Sequence, residues 1–237
     1  MTPVVVAGAS GFVGSRVVAG LSRAGRAVLA VSRSPLPMPD DAGPVVPVRY
    51  DDVAGLGEAV RVACERAGLP LPGGAVASIG GWQLGPRLLD EPDLAAWRAT
   101  LDSHLTAHLA TIRALAPLLR ASEEPHPAYV VLNGAARAEA MAGSGAVNVT
   151  GAGLAMLVQV LRLEEASGAG GEAAGVGDVV VPERAGRALR FHELVLDHAV
   201  AGDDRNVAPE REVAPGAVVH ALAAILDDPA AAGVVHV

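Results

Sequence analysis

The chain has 237 residues, a length typical of one α/β domain. Its net charge of −8 and the lack of any Arg-rich run argue against nucleic acid as a partner. Aromatic residues make up only 3% of a sequence that is 51% hydrophobic, so its core must consist mainly of Ala, Val and Leu. All 18 basic residues are Arg, which excludes every mechanism that needs a lysine.

The N-terminal residues and the cysteine content predict a cytoplasmic protein. The opening stretch MTPVVVAG has no basic region ahead of its apolar run, so we expect no signal peptide. We also expect no membrane partner, because we find no apolar segment of the roughly 18 residues that are needed to span a bilayer. The single cysteine, Cys64, rules out internal disulfides and a cysteine-based metal cluster.

Strand-like and helix-like patterns alternate along the whole chain. The predicted strands are residues 3–8, 27–32, 45–48, 75–80, 128–134, 178–182 and 233–237. The predicted helices are residues 12–24, 56–67, 93–120, 146–166 and 213–226. This alternation favours right-handed crossovers and predicts one domain, residues 1–237, with a Rossmann-like doubly wound parallel sheet of about seven strands.

A glycine-rich loop joins the first predicted strand to the first predicted helix. In GASGFVG, Gly8 would allow a tight turn, Gly11 the approach of a pyrophosphate, and Gly14 the packing of helix on strand. Free N–H groups at the helix N-terminus would then bind the phosphate. The alternative is a turn with incidental glycines. The further residues that we assign to this cofactor site are Ser10, Phe12, Val13 and, after the fourth strand, Gly80.

The second predicted strand ends in Ser32 and Arg33, where an NAD-binding protein would carry an acidic residue for the ribose 2′-hydroxyl. A serine followed by an arginine suits a 2′-phosphate instead, so we predict NADP(H) as the cofactor. The alternative for Arg33 is a solvated loop residue. Asp51 follows the third strand and is our candidate for the adenine side of the site, although such acids also cap turns.

The chain resembles the short-chain dehydrogenase/reductase (SDR) family over nearly its whole length. The resemblance is carried by GASGFVG, by the long helix DLAAWRATLDSHLTAHLATIRALAPLLR, by the strand AYVVLNGAA and by the closing GVVHV. It implies an NAD(P)-dependent oxidoreductase acting on a small molecule. It also implies a homodimer or homotetramer that assembles through the two long helices.

The residues at the family's catalytic positions differ in this chain. Matched segment by segment, the family's Asn, Ser, Tyr and Lys fall on His104, Ala135 (or Gly134), Val147 and Gly151. No other alignment supplies the lysine, and Tyr129 begins a strand at the end of the sheet opposite to the ligand. The resemblance therefore implies an atypical member without the Ser-Tyr-Lys residues.

Two residues are the catalytic candidates that remain. His104 could move a proton, because imidazole titrates near neutral pH, or it could hold a helix kink or a backbone carbonyl. Asn148 could hydrogen-bond a ligand, as could Thr150, which could equally bond its own helix. His104 and His108 have the spacing of a metal pair, but no third ligand is evident and we predict no metal. The other polar candidates are Trp82, Gln83, Asn133, Arg137, Glu139, Ser144, Glu183, Arg184 and Arg187.

Two functions stay open from the sequence. The first is an NADP(H)-binding SDR-like oxidoreductase with a degenerate site, in which the proton comes from His104 or water. The second is a non-redox protein of the same fold, which senses the dinucleotide or uses the emptied apolar pocket as a tailoring catalyst.

Overall fold

The fold is a seven-stranded parallel sheet with helices on both faces. A computed structural model describes residues 2–36, 43–90, 94–167, 187–204, 206 and 210–237. The sheet contains β1 Val4–Ala7, β2 Val28–Ser32, β3 Val45–Arg49, β4 Gly74–Ala77, β5 Ala128–Gly134, β6 Arg190–Leu196 and β9 Val234–His236. A separate two-stranded sheet pairs β7 Ala199–Val200 with β8 Glu212–Val213. The strand order β3-β2-β1-β4-β5-β6-β9 confirms the predicted doubly wound Rossmann-like sheet.

Two helical layers cover the sheet. The helices are α1 Phe12–Arg23, α2 Leu56–Ala67, α3 Ala95–Leu101, α4 Ala107–Ala121, α5 Gly145–Ser167 and α6 Pro215–Asp227. Helices α1 and α6 pack on one face around Val6, Leu21 and Leu222. Helices α2, α4 and α5 pack on the other face around Leu56, Leu115 and Tyr129. The side chains that β1 directs alternately to the two faces belong to the two cores, as in a sheet buried on both sides.

The sixth strand is not the one predicted from the sequence. The predicted strand at residues 178–182 lies outside the described residues, and the strand that pairs with β5 and β9 is β6, residues 190–196. The sequence RFHELVL hides this strand, because His192 and the fully buried Glu193 interrupt its apolar pattern. Arg187, the described candidate that follows the predicted strand, therefore precedes the sixth strand of the sheet.

The long helix predicted over residues 93–120 is divided by one π-helical turn, Asp102–Thr106, between α3 and α4. Its buried positions are Thr100, His108, Thr111, Ile112, Leu115, Ala116 and Leu119. Leu94 and Leu109, two apolar residues of the predicted helix, are exposed. An extra residue per turn shifts the side chains that follow it around the axis, so a single helical period cannot describe both halves.

Helix α5 corrects the expectation that no segment could span a membrane. It has 23 residues, and an 18-residue window within it has a mean hydropathy of 1.5, which suffices by length and composition alone. In the fold, however, Leu154, Ala155 and Val158 are buried, and α5 packs along β5 and β6. Only 28% of its apolar window is buried, and Met156 and Leu163 on its other side are exposed.

Candidate functional site

The glycine loop has the geometry that its sequence predicts. Gly8 has φ +80°, and a Cβ on Gly8 would lie 2.0 Å from the carbonyl oxygen of Ser78. A Cβ on Gly14 would lie 2.1 Å from the carbonyl oxygen of Gly8, so α1 can pack on the end of β1 only if this residue has no side chain. Gly11 caps α1 without any side-chain hydrogen bond. The N-terminal N–H groups of α1 are therefore left for an anion, as a bound pyrophosphate requires.

The end of β2 carries a small hydroxyl network. Ser32 Oγ donates to Ser10 Oγ over 2.8 Å and accepts from the N–H of Ser34 over 3.0 Å. Arg33, between them, is exposed, and Asp51 is exposed beyond β3. Arg33 is thus an exposed residue next to the strand end at which Ser32 ties Ser10 of the glycine loop.

A cleft of about 490 Å³ opens at the carboxyl ends of β1, β4, β5 and β6. Among the predicted cofactor residues it is lined by Gly11, Phe12, Val13 and Gly80; Gly8, Ser10 and Gly14 support the loop, whereas Arg33 and Asp51 lie apart from the lining. The lining also includes His104, Val147, Thr150 and Gly151. The cleft thus joins the glycine loop to the positions where the family's catalytic residues were matched.

His104 is held by backbone rather than presented freely to the cleft. Its Nε2 lies 2.6 Å from the carbonyl oxygen and 3.0 Å from the nitrogen of Gly81, and its Nδ1 lies 3.0 Å from Ser103 Oγ. A Cβ on Gly80, which has φ +89°, would come within 2.6 Å of the ring. The ring therefore fastens the π-helical turn to the loop after β4, which is the structural alternative weighed for it, and Gly80 is a glycine because the ring lies against it.

His108 is buried one turn further along and has an unmatched ring nitrogen. Its Nε2 lies 3.2 Å from the carbonyl oxygen of Ile79, and its Nδ1 has no partner. Burial lowers the pKa of His108 from its ordinary value to about 4. A carbonyl only accepts, so Nε2 carries the proton and Nδ1 is a bare acceptor at neutral pH. No group of three metal-binding side chains occurs among the described residues.

The position matched to the family's lysine is packed tightly against the turn after β5. A Cβ on Gly151 would lie 3.2 Å from both Cα and N of Arg137. Asn133 Nδ2 donates to the carbonyl oxygen of Gly151 over 2.9 Å and to Glu193 Oε1 over 2.7 Å. The buried Glu193 also forms an ion pair with Arg137, whose Nε lies 2.9 Å from the same oxygen. Gly151 therefore lies on the wall of the cleft with the turn after β5 packed against it.

Asn148 serves the loop that precedes α5. Its Oδ1 accepts from the N–H of Met141 over 3.0 Å, and its Nδ2 donates to the carbonyl oxygens of Ala136, over 2.7 Å, and Glu139. Asn148 is not part of the cleft lining. Its amide is thus committed to backbone, which replaces our expectation that it bonds a ligand. Thr150 Oγ1 donates to the carbonyl oxygen of Val147 over 3.0 Å, the alternative considered for it.

The remaining polar candidates lie in different parts of the fold, and only some of them line the cleft. Trp82, Asn133 and Glu139 line the cleft. Gln83 Nε2 donates to Thr100 Oγ1 over 3.0 Å, and Ser144 is buried. Arg187 precedes β6 and donates to the carbonyl oxygen of Ser122 after α4, so its predicted place beside the cleft is wrong. Glu183 and Arg184 lie outside the described residues.

Sequence reasoning missed the residues that follow β6. Asp197 and His198 line the cleft, and so does Asp203 beyond β7. Asp197 Oδ1 lies 2.8 Å from Nδ1 of His236, so its carboxylate is partly engaged. These residues could have been found only by recognising β6 in RFHELVL. Both tyrosines lie outside the cleft lining, and Tyr129 is fully buried in β5, where burial raises the pKa of its hydroxyl.

Solved structures with the same fold are SDR structures. A short-chain dehydrogenase from Burkholderia cenocepacia in complex with NADP has a TM-score of 0.72 and 22% identity, over 99% of this chain and 87% of that one. A 3-oxoacyl-[acyl-carrier protein] reductase from Brucella melitensis with bound NAD has a TM-score of 0.73 and 17% identity, over 100% of this chain and 89% of that one. A short-chain dehydrogenase from Streptomyces avermitilis has a TM-score of 0.69 and 19% identity, over 100% of this chain and 89% of that one.

These similarities define the class of fold. The chain has the Rossmann-like fold of the SDR structures over essentially its full length. No protein-family model matches the sequence, and no curated protein matches it.

Proposed function

We propose that this protein is a divergent SDR-family oxidoreductase that binds NADP(H) and works without the family's Ser-Tyr-Lys residues. The observation that carries the proposal is the glycine loop, in which Gly8 and Gly14 occupy positions that a Cβ would fill and the N-terminus of α1 is left uncapped. Such a loop is what a dinucleotide pyrophosphate needs for close approach. The fit of these residues to the cofactor is therefore good.

The cofactor would lie along the cleft with its phosphates at Gly11, Phe12 and Val13. Arg33 would bind the 2′-phosphate, and Asp51 would face the adenine side. When bound, the nicotinamide supplies hydride transfer. The chain itself contributes positioning: His104 fixes the loop after β4, while Asn133 and Glu193 fix the turn after β5.

The experiment is a calorimetric titration of the purified protein with NADPH, NADP+ and NADH. We expect NADPH to bind about tenfold more tightly than NADH, because one charge-assisted contact to an exposed phosphate contributes roughly 1.4 kcal/mol. Arg33→Ala should remove that preference. Arg66→Ala is the matched control, since Arg66 is an exposed arginine near the end of α2. Equal affinities in the unmodified protein would show that Arg33 does not select the cofactor.

A second candidate is a non-redox protein that senses the dinucleotide. It is favoured by the tight packing at Gly151 and by the backbone role of His104, which together leave no conventional proton relay. Tight NADP(H) binding without turnover of any aldehyde, ketone or imine would support this candidate over the first.

We also propose that the protein assembles as a homodimer or homotetramer through the long helices. Val149, Met156, Val160 and Leu163 are 41–57% exposed and follow one another along one side of α5. No charged residue occurs between Glu139 and Arg162. An exposed apolar strip of this kind is typical of an interface. Light scattering should give at least twice the monomer mass, and Met156→Glu should lower it; a monomer in the unmodified protein would contradict the proposal.

A further inference from the structure

The cleft contains acids and an aromatic ring but no arginine. Glu139, Asp197 and Asp203 contribute to its described lining together with Trp82, and the described lining includes no Arg. The whole chain has no lysine and a net charge of −8. A cleft with this balance lowers the energy of a cation and raises that of a carboxylate or phosphate ester as the reacting substrate.

The loop before α5 contributes Glu139 and Met141 to the lining, and its backbone is braced by one side chain. Asn148 accepts from the N–H of Met141 and donates to the carbonyl oxygen of Glu139, so one side chain holds the backbone on both residues. Met141 is half-buried and lines the cleft with Trp82, whose ring is also half-buried. An indole, a thioether and a carboxylate held in one cleft are the groups that bind an organic cation with an apolar body.

His108 points independently to a ligand that donates. Its side chain is 1% exposed, belongs to the wall of the same cleft, and leaves Nδ1 without a partner. Because Nε2 must donate to the carbonyl oxygen of Ile79, the unmatched atom is an acceptor. Buried acceptors are normally paired, so this atom lacks an N–H or O–H donor.

We propose that the substrate end of the cleft is a site for organic cations, and that the protein reduces preformed iminium ions. This inference rests on the proposed function. An iminium carbon accepts a hydride directly, and the electron pair of its C=N bond becomes the lone pair of the amine. The two electrons come from the reduced nicotinamide, which is oxidised in the same step. No proton is delivered by the protein, so the reaction needs neither the tyrosine nor the lysine that this chain lacks. A ketone, in contrast, gains negative charge on oxygen and needs a donor.

The test uses a matched pair of bicyclic probes at pH 6, the protonated 3,4-dihydroisoquinolinium, whose N–H can donate to an acceptor, and the neutral ketone tetralone. Calorimetry is performed on the protein alone and on the protein saturated with NADP+. We expect the cation to bind about tenfold more tightly than the ketone, a ratio of the size that one carboxylate and one aromatic ring supply. The same preference should appear in the rate of NADPH consumption.

Two variants separate this site from general charge effects. Glu139→Gln should weaken cation binding about tenfold and leave ketone binding unchanged, since only a charge is removed. Glu123→Gln is the matched control, because Glu123 is an exposed acid after α4, outside the cleft lining. Asn148→Ala should weaken cation binding by a similar factor, because the loop loses the hydrogen bonds that hold its backbone, while the affinity for NADP+ stays the same.

Equal affinity for cation and ketone, or an unchanged Glu139→Gln variant, would overturn the cation site. Binding of benzoate in preference to both probes would overturn it as well. These results are distinguishable from failure of the proposed function, which is read from the NADP+ titration alone. Cation binding without NADP+ binding would refute the proposed function and the iminium reduction, but leave the cation site in place.

Discussion

Replacing Gly8 by alanine is the sharpest test of the glycine loop. Gly8 has φ +80°, a conformation that costs an L-residue on the order of 1–2 kcal/mol. The added Cβ would also stand 2.0 Å from the carbonyl oxygen of Ser78, which is backbone and cannot rotate away. The strand ends at Ala7 and Ala77 would have to separate, and the loop would move from its place beneath the cofactor.

Gly25 offers a matched control for this substitution. It has φ +81°, yet nothing lies within 4 Å of a Cβ built on it. Gly25→Ala therefore carries the backbone cost alone, which we expect to lower the free energy of unfolding by about 1–2 kcal/mol without changing NADP+ affinity. Gly8→Ala carries the backbone cost and the overlap together, so its loss should be larger by at least about 1 kcal/mol, within the usual range for overpacking.

Urea unfolding gives the two free energies, and calorimetry with NADP+ gives the two affinities. We expect Gly8→Ala to weaken NADP+ binding at least about tenfold, because a displaced loop loses part of its hydrogen bonding to the pyrophosphate. The reasoning would be refuted if both alanine variants were equally stable and bound NADP+ like the unmodified protein. In that case the approach of Gly8 to Ser78 would have no energetic meaning.

Three further predictions follow from buried groups. Burial lowers the pKa of His108 to about 4 in the folded state, so between pH 4 and 6.5 the unfolded chain binds a proton that the folded chain does not. The free energy of unfolding should therefore fall by up to about 3 kcal/mol as the pH drops through this window. Urea unfolding at each pH should show a weaker pH dependence for His108→Gln. Gly151→Lys should not restore proton transfer and should lower the melting temperature, because its Cβ meets Arg137 at 3.2 Å; a stable variant with faster ketone reduction would contradict the tight packing. Glu193→Gln should cost about 1–3 kcal/mol in chemical unfolding, because Arg137 loses its buried counter-charge; an unchanged stability would show that the ion pair is dispensable.

The features that sequence reasoning located best are those dictated by local backbone geometry. Gly8 and Gly14 follow a β-branched run and open an amphipathic helix, and only glycine can occupy a φ of +80° or the contact between α1 and β1. The parallel sheet was likewise predictable, since strand and helix patterns alternate over most of the chain. Both are properties of short segments, which a sequence displays directly.

The features that were missed depend on partners distant in sequence. Glu193 is buried in β6 because Arg137 and Asn133 neutralise and solvate it, and neither partner can be identified from RFHELVL alone. That buried acid concealed the strand and with it His198 at the cleft. The amide of Asn148 could bond a ligand, and only the path of the loop shows that it bonds backbone carbonyl oxygens instead. Tertiary partners therefore decide the roles of these polar residues.

The proposed function depends on the binding of NADP(H) in the cleft. Titration of the unmodified protein with NADPH tests it most directly. We expect saturable binding with one molecule per chain, about tenfold weaker binding of NADH, and loss of this difference in Arg33→Ala. No binding of either nucleotide at millimolar concentration would contradict this expectation, and with it the function proposed for the glycine loop.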